Sequence, residues 1–167
     1  MYNINDTILY GKHGVCKIEN IVTENFTGSS MDYYSLKPAY SDNTVIYVPI
    51  ESEKLVSKMK KVLSVKEIND LIHKVKNTVP IWYDNEKVRK EKYNEIISEG
   101  NRVKILQLIN TLYINKKERE SLGKKMYASD EKIMKEAEKL IYEEFAVVLN
   151  IKPEEVVPYI IEKIEEV

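Results

Sequence analysis

Trp82, the only tryptophan in 167 residues, lies two positions after Pro80 and is followed within ten positions by Lys87, Arg89, Lys90 and Lys92. An indole beside a cationic helix can press on a base step while the cations hold phosphates. A large aromatic between two halves of a chain can equally be an anchor that packs them together. The residues alone leave both readings open.

Catalytic chemistry finds no comparable grouping. His13 and His73 fall in different predicted domains, one in a turn and one in a helix, and the single cysteine, Cys16, leaves no second thiol for a zinc site. The glycines Gly11, Gly14, Gly28, Gly100 and Gly123 are scattered as turn and cap residues and form no phosphate loop. Glu143-Glu144 and Glu154-Glu155 fall on helix faces expected to be exposed, where nothing apolar lifts a carboxyl pKa, and read as solvated. No Gly-x-Ser-x-Gly elbow occurs. Binding is therefore expected in place of catalysis, with no cofactor, metal or small-molecule substrate.

Composition and charge narrow the class further. Hydrophobic residues make up 43% and charged residues 32%, which suits a folded chain with a core. No apolar run approaches the length of a membrane span, and the opening Met1 to Asp6 lacks the order of a secretion signal. These features place the protein in the cytoplasm, where a lone Cys16 in a strand pattern reads as a buried, inert thiol. The net charge of -1 hides an uneven distribution. Residues 82–125 hold 11 Lys and Arg against 7 Asp and Glu, whereas residues 126–167 hold 5 against 11. Such a chain is no strong nonspecific nucleic-acid binder, but it can carry a local cationic patch to DNA if something else recruits it.

The elements that must position these residues divide the chain in two. Residues 7–11, 14–22, 32–37 and 44–48 are rich in branched and aromatic side chains, partly alternate, and are separated by turns containing Gly11 to Gly14, Gly28, and Tyr40 to Asn43. Four short strands predict a small, strongly bent sheet or barrel over residues 1–58. The period then changes. Ser64 and Glu67 have capping-box spacing before Ile68, Leu71, Ile72 and Val75, predicting a helix over residues 65–76. Asp84 is placed to cap a second helix carrying Val88, Tyr93, Ile96 and Ile97 and stopping at Gly100. A third carries Val103, Leu106, Ile109, Leu112 and Tyr113. A long fourth opens at Ser129 or Asp130 and stops at Asn150, and a last one starts at Pro153, with Pro158 forcing a late start or a bend. The fold class is α+β: a bent β domain followed by an all-α bundle over residues 64–167.

The run from Asn5 to Ile18, with Ile8-Leu9-Tyr10-Gly11-Lys12-His13-Gly14-Val15-Cys16 at its centre, resembles the opening of the CarD family of bacterial transcription regulators and the RNA-polymerase-interacting module of transcription-repair coupling factors. Tyr33 to Lys37 and Val48-Pro49-Ile50-Glu51 resemble two further landmarks of that module. Trp82, the basic helix after it, Ser98-Glu99-Gly100 and the stretch from Leu122 to Glu143 are similar to the helical domain that CarD proteins carry.

The resemblance implies a Tudor-like β module that pairs with the RNA polymerase β subunit, and a helical domain that lies on promoter DNA and slows bubble collapse. It makes Trp82 the candidate wedge and Lys87, Arg89, Lys90, Lys92, Lys124 and Lys125 the candidate DNA contacts. The candidate polymerase contacts are Glu24, Tyr34, Ile46, Tyr47, Val48 and Pro49. Glu24 and Tyr47 stand about where some members use arginines, and Asn5 stands where the family often has glycine. A protein-interaction module without DNA contact and an RNA- or ribosome-associated β-barrel protein are the competing readings.

Overall fold

The computed structural model describes residues 1–41 and 43–166; Asp42 of the third predicted turn and Val167 at the end of the second predicted domain lie outside the described residues. The β domain holds β1 (Thr7–Tyr10), β2 (Val15–Glu24), β3 (Met31–Pro38) and β4 (Ile46–Pro49). A short helix α1 (Glu53–Val56) then leads to a strand that the sequence pattern did not reveal, β5 (Met59–Lys61). The strands form one antiparallel sheet in the order β4-β3-β2-β1-β5. The sheet therefore extends past residue 58, and the strand order leaves it open, with β4 and β5 as its two edges.

Alternation explains which residues fill the core. On the inner face Ile8 lies opposite Cys16, Ile18 opposite Leu36, and Tyr34 opposite Val48, and these side chains pack together with Met59. A bulge between Ile18 and Asn20 shifts the register of β2, an irregularity of the kind that increases local twist. Asn5 takes a positive φ of 75°, the conformation that glycine adopts freely and asparagine tolerates. Cys16 is fully buried, and burial pushes its thiol up to about 11, with the charge of Glu143 adding to the rise, so it is an inert core residue at neutral pH.

The helical domain comprises α2 (Val65–Val75), α3 (Glu86–Glu99), α4 (Arg102–Ser121), α5 (Ala128–Leu149) and α6 (Val156–Glu165). The Ser64/Glu67 capping box forms as the spacing predicts. Asn85, one residue later than expected, caps α3 by accepting from the Val88 amide at 3.0 Å. Gly100 and Asn150 end α3 and α5 in the left-handed conformation. A 3-10 turn, Pro153–Glu155, precedes α6, so Pro158 falls in the first turn of α6, where its missing N–H breaks no helical bond. Ile68, Ile72, Tyr93, Ile105, Leu108, Leu112, Ile133, Ile141 and Phe145 make one core, while Val88 and Tyr113, expected on apolar stripes, are exposed.

The two domains are bolted together by polar contacts. Glu144, fully buried on α5, accepts from Arg102 Nε at 3.0 Å and Nη2 at 2.6 Å, and from the Leu63 amide of the connecting segment at 3.2 Å. Arg102 Nη2 also donates to the Lys61 carbonyl on β5, and Lys60 Nζ donates to the Glu99 carbonyl at the end of α3. The reading of Glu144 as a solvated carboxylate is thus overturned: its turn of α5 faces the β domain, where Arg102 supplies the compensating charge.

Its neighbour Glu143 faces Gly14, whose φ of 71° and ψ of -144° suit only glycine; a Cβ there would sit 3.1 Å from Glu143 Oε2. Burial raises the Glu143 pKa, opposed by the charge of Lys139. A carboxyl raised in the fold favours the native state at pH values below its unfolded pKa, and that contribution is lost as pH rises through the folded value. Glu143→Gln should therefore raise Tm at pH 7, by no more than the few degrees that about 1 kcal/mol produces. Thermal scans should show this gain shrinking towards about pH 4, where the wild-type carboxyl is itself protonated.

Candidate nucleic-acid interface and docking edge

Trp82 sits in a segment without helix or strand, between α2 and α3, and that segment is strapped down along its length. Gln107 Nε2 donates to the Val79 carbonyl at 2.6 Å, and the Ile81 amide donates to Thr111 Oγ1 at 2.9 Å. The Tyr93 hydroxyl donates to the Ile81 carbonyl, and Arg89 Nη1 donates to the Tyr83 carbonyl at 3.0 Å. Every one of these partners lies on α3 or α4. Pro80 brings no N–H that would need another. The backbone carrying the indole is therefore fixed before any ligand arrives.

Trp82 as a residue is 37% exposed, so it is neither sealed in the core nor free of it. The Arg89 guanidinium carbon lies 4.3 Å from the ring centroid, a cation–π contact. Arg89 is 1% exposed, and its Nε and Nη2 each donate to one oxygen of buried Asp130 at 2.9 Å. This corrects the assignment of Arg89 as a phosphate contact. Its charge is cancelled by a bidentate carboxylate and walled off from water, so it holds the indole from below and reaches no ligand. Asp130, 41 residues further along the chain, carries no local signal that would have paired the two.

The same stack continues past Arg89. The Tyr127 ring centroid lies 5.4 Å from the Arg89 guanidinium carbon and 4.0 Å from that of Arg119, whose Nε donates to the Lys125 carbonyl at 2.6 Å. Trp82, Arg89, Tyr127 and Arg119 thus form an alternating aromatic and cationic column that ties the segment before α3 to the loop between α4 and α5. Neither Tyr127 nor Arg119 was singled out from the sequence, since they belong to no periodic pattern.

The remaining expected DNA contacts are exposed. Lys87 and Lys90, three positions apart on α3, share one flank of the helix, whereas Lys92 lies on the other and approaches Glu95 at 3.9 Å. Lys124 and Lys125 follow Gly123 in the α4–α5 loop. Among the described residues, Lys87, Lys90, Lys124 and Lys125 form no ion pair. The lysines therefore come from two elements, α3 and the α4–α5 loop, and do not make a single stripe along α3.

In the β domain the expected contacts divide by face. Tyr34 and Val48 are core residues, because their positions in β3 and β4 point inward; Tyr34 accepts from the Tyr2 amide at 3.2 Å. Their assignment as surface contacts is corrected: what this part of the sheet offers a partner is the backbone edge of β4. Ile46 and Pro49 are half-buried, and Glu24 is exposed at the end of β2. Tyr47 points outward and joins a cluster not apparent in the sequence, with the Phe26 ring 5.1 Å away and the Tyr33 ring 6.4 Å away. Phe26 and Tyr47 are both substantially exposed.

Among the described residues there is no grouping of His, Cys, Asp and Glu that could hold a metal ion, and no helix long and apolar enough to cross a membrane. Residues 2–62 match the family model of the CarD-like/TRCF RID domain, so the β domain is a CarD-like RNA-polymerase-interacting domain. The chain matches no curated protein.

Proposed function

We propose that this chain, with a CarD-like RNA-polymerase-interacting domain at residues 2–62, is a non-catalytic transcription regulator that stabilises the open promoter complex. The β domain docks on the polymerase β subunit by adding the free edge of β4 to a sheet of the partner. Main-chain hydrogen bonds supply the affinity, and the exposed Phe26 and Tyr47 rings, packed on buried Tyr33, supply an aromatic anchor beside it. Such an interface does not depend on arginines at positions 24 and 47. Docking carries the helical domain to promoter DNA at high local concentration, which makes a few lysines sufficient in a chain of net charge -1.

The observation that carries this reading is the Trp82 indole: part-exposed, on a strapped segment, backed by a buried and neutralised guanidinium. A ring so held loses little freedom when it binds, and it packs against a base step that has opened but not against a closed duplex. Only a ligand that favours one state moves an equilibrium. Stacking one base on an aromatic is worth about 1–3 kcal/mol, which corresponds to an open-complex lifetime longer by roughly five- to a hundredfold.

Trp82→Ala, compared with wild type at equal polymerase occupancy, should shorten the open-complex lifetime by that factor. A variant that folds, binds polymerase and prolongs the lifetime as wild type does would reduce Trp82 to a packing residue and sink the proposal.

A further inference from the structure

We propose that Arg119 is the arginine that takes a DNA phosphate beside Trp82, the role that Arg89 cannot fill. The inference rests on the reading of the helical domain as DNA-contacting. Within the column both guanidiniums stack on Tyr127, but their electrostatic states are opposite. Arg89 spends four hydrogen bonds on Asp130 and the carbonyls of Tyr83 and Asp84. Arg119 uses only Nε, on the Lys125 carbonyl, and among the described residues its Nη1 and Nη2 have neither a hydrogen bond nor a carboxylate. The neighbouring Glu118 and Glu120 are exposed and make no ion pair among the described residues.

The two contacts that Arg119 does make fix its direction. The Tyr127 ring, its centroid 4.0 Å from the guanidinium carbon, and the Nε bond to the Lys125 carbonyl hold the group at two points. The free edge is then a planar fork of N–H donors, which matches two oxygens of one phosphodiester. Lys124 and Lys125, both exposed, adjoin it and raise the local positive potential. Pre-orientation matters because an arginine side chain otherwise loses substantial rotamer freedom on binding. Through Tyr127 and Arg89 the same column reaches Trp82. Phosphate grip and indole are therefore set at a fixed distance, as a wedge at the edge of a melted region needs. Tyr127 acts here as a positioning residue.

The test is fluorescence anisotropy of the full chain binding a labelled forked DNA, half duplex and half single-stranded, over a range of KCl concentrations. Arg119→Ala should weaken binding about three- to tenfold at low salt and reduce the slope of log affinity against log salt by about 1, the signature of one lost phosphate contact. Tyr127→Leu, which keeps an apolar cover over Arg89 but removes the ring, should weaken binding while Tm stays near wild type. If Arg119→Ala disturbs the fold, Arg119→Gln keeps an aliphatic stem and an N–H donor for the Lys125 carbonyl and gives the same reading. An unchanged salt slope in a folded Arg119 variant overturns the inference. That outcome is separable from failure of the wedge, because Trp82→Ala is read as open-complex lifetime and Arg119 as salt dependence.

Discussion

Asp130→Ala is expected to destabilise the protein by about 3–5 kcal/mol, because it leaves the Arg89 charge buried with no counter-charge. The pair is dry on both sides, each side chain being 2% exposed, so water cannot replace the lost carboxylate. Stability at this level is a large part of what a domain possesses, and a chain with a weak helical core would unfold. Removing both charges has a different expected effect. Arg89→Met with Asp130→Leu substitutes apolar volume for the ion pair, a change that is often neutral or stabilising.

That double variant separates structural support from function. It should keep the stability of the helical domain but lose the guanidinium that holds the indole 4.3 Å away, so that Trp82 emission shifts and the open-complex lifetime falls towards that of Trp82→Ala. Urea unfolding and tryptophan fluorescence check the two halves of the statement. A single Asp130→Ala variant with stability within about 1 kcal/mol of wild type would contradict the geometry, since the loss would then resemble an ordinary surface substitution.

Glu144→Ala should have the second-largest effect, and a different character. It unpairs Arg102, whose side chain is 17% exposed, and strips the Leu63 amide of its acceptor. Partial access to water lets Arg102 recover some solvation, so the expected loss lies towards the lower end of about 3–5 kcal/mol. Glu144→Gln retains an acceptor for Leu63 and should lose less.

The greater consequence concerns the domains. With Glu144 gone, the contacts from Lys60 and Arg102 to backbone carbonyls remain as the polar ties between β5 and the helices. Unfolding should then split into two calorimetric transitions where wild type shows one. Polymerase binding should survive, because the β4 edge lies at the far side of the sheet from β5. The effect on open-complex lifetime should weaken, because the indole is no longer carried at a fixed place relative to the docking edge. One transition at an unchanged Tm would show that Glu144 is not needed to join the domains.

Much of this molecule was legible in the chain. Alternation gave β1 to β4, because a sheet with one buried face repeats every two residues. Ser64 with Glu67, Gly100 and Asn150 marked helix ends, because caps are local hydrogen-bonding problems solved within a few residues. Local rules also placed Trp82 on a loop between helices and Lys87, Lys90, Lys124 and Lys125 in solvent. β5 was missed because three residues, two of them lysine, carry no period; it is a strand only because β1 offers it an edge.

The charged side chains were the least legible. Whether an arginine is a ligand-binding cation or a buried strut depends on what lies opposite it, and in this fold the answers come from far away in the sequence: Asp130 for Arg89, Glu144 for Arg102, Tyr127 for the stack. The sequence by itself determined most of the elements, the order of the two domains and the place of Trp82 between helices, but not the exposure of its ring. Only the tertiary structure decided that Arg89 is neutralised, that Arg119 keeps an open fork, and that Glu144 is a bolt and no solvated surface group. The physical reason is that secondary structure follows from neighbours along the chain, whereas the electrostatic state of a side chain follows from neighbours in space.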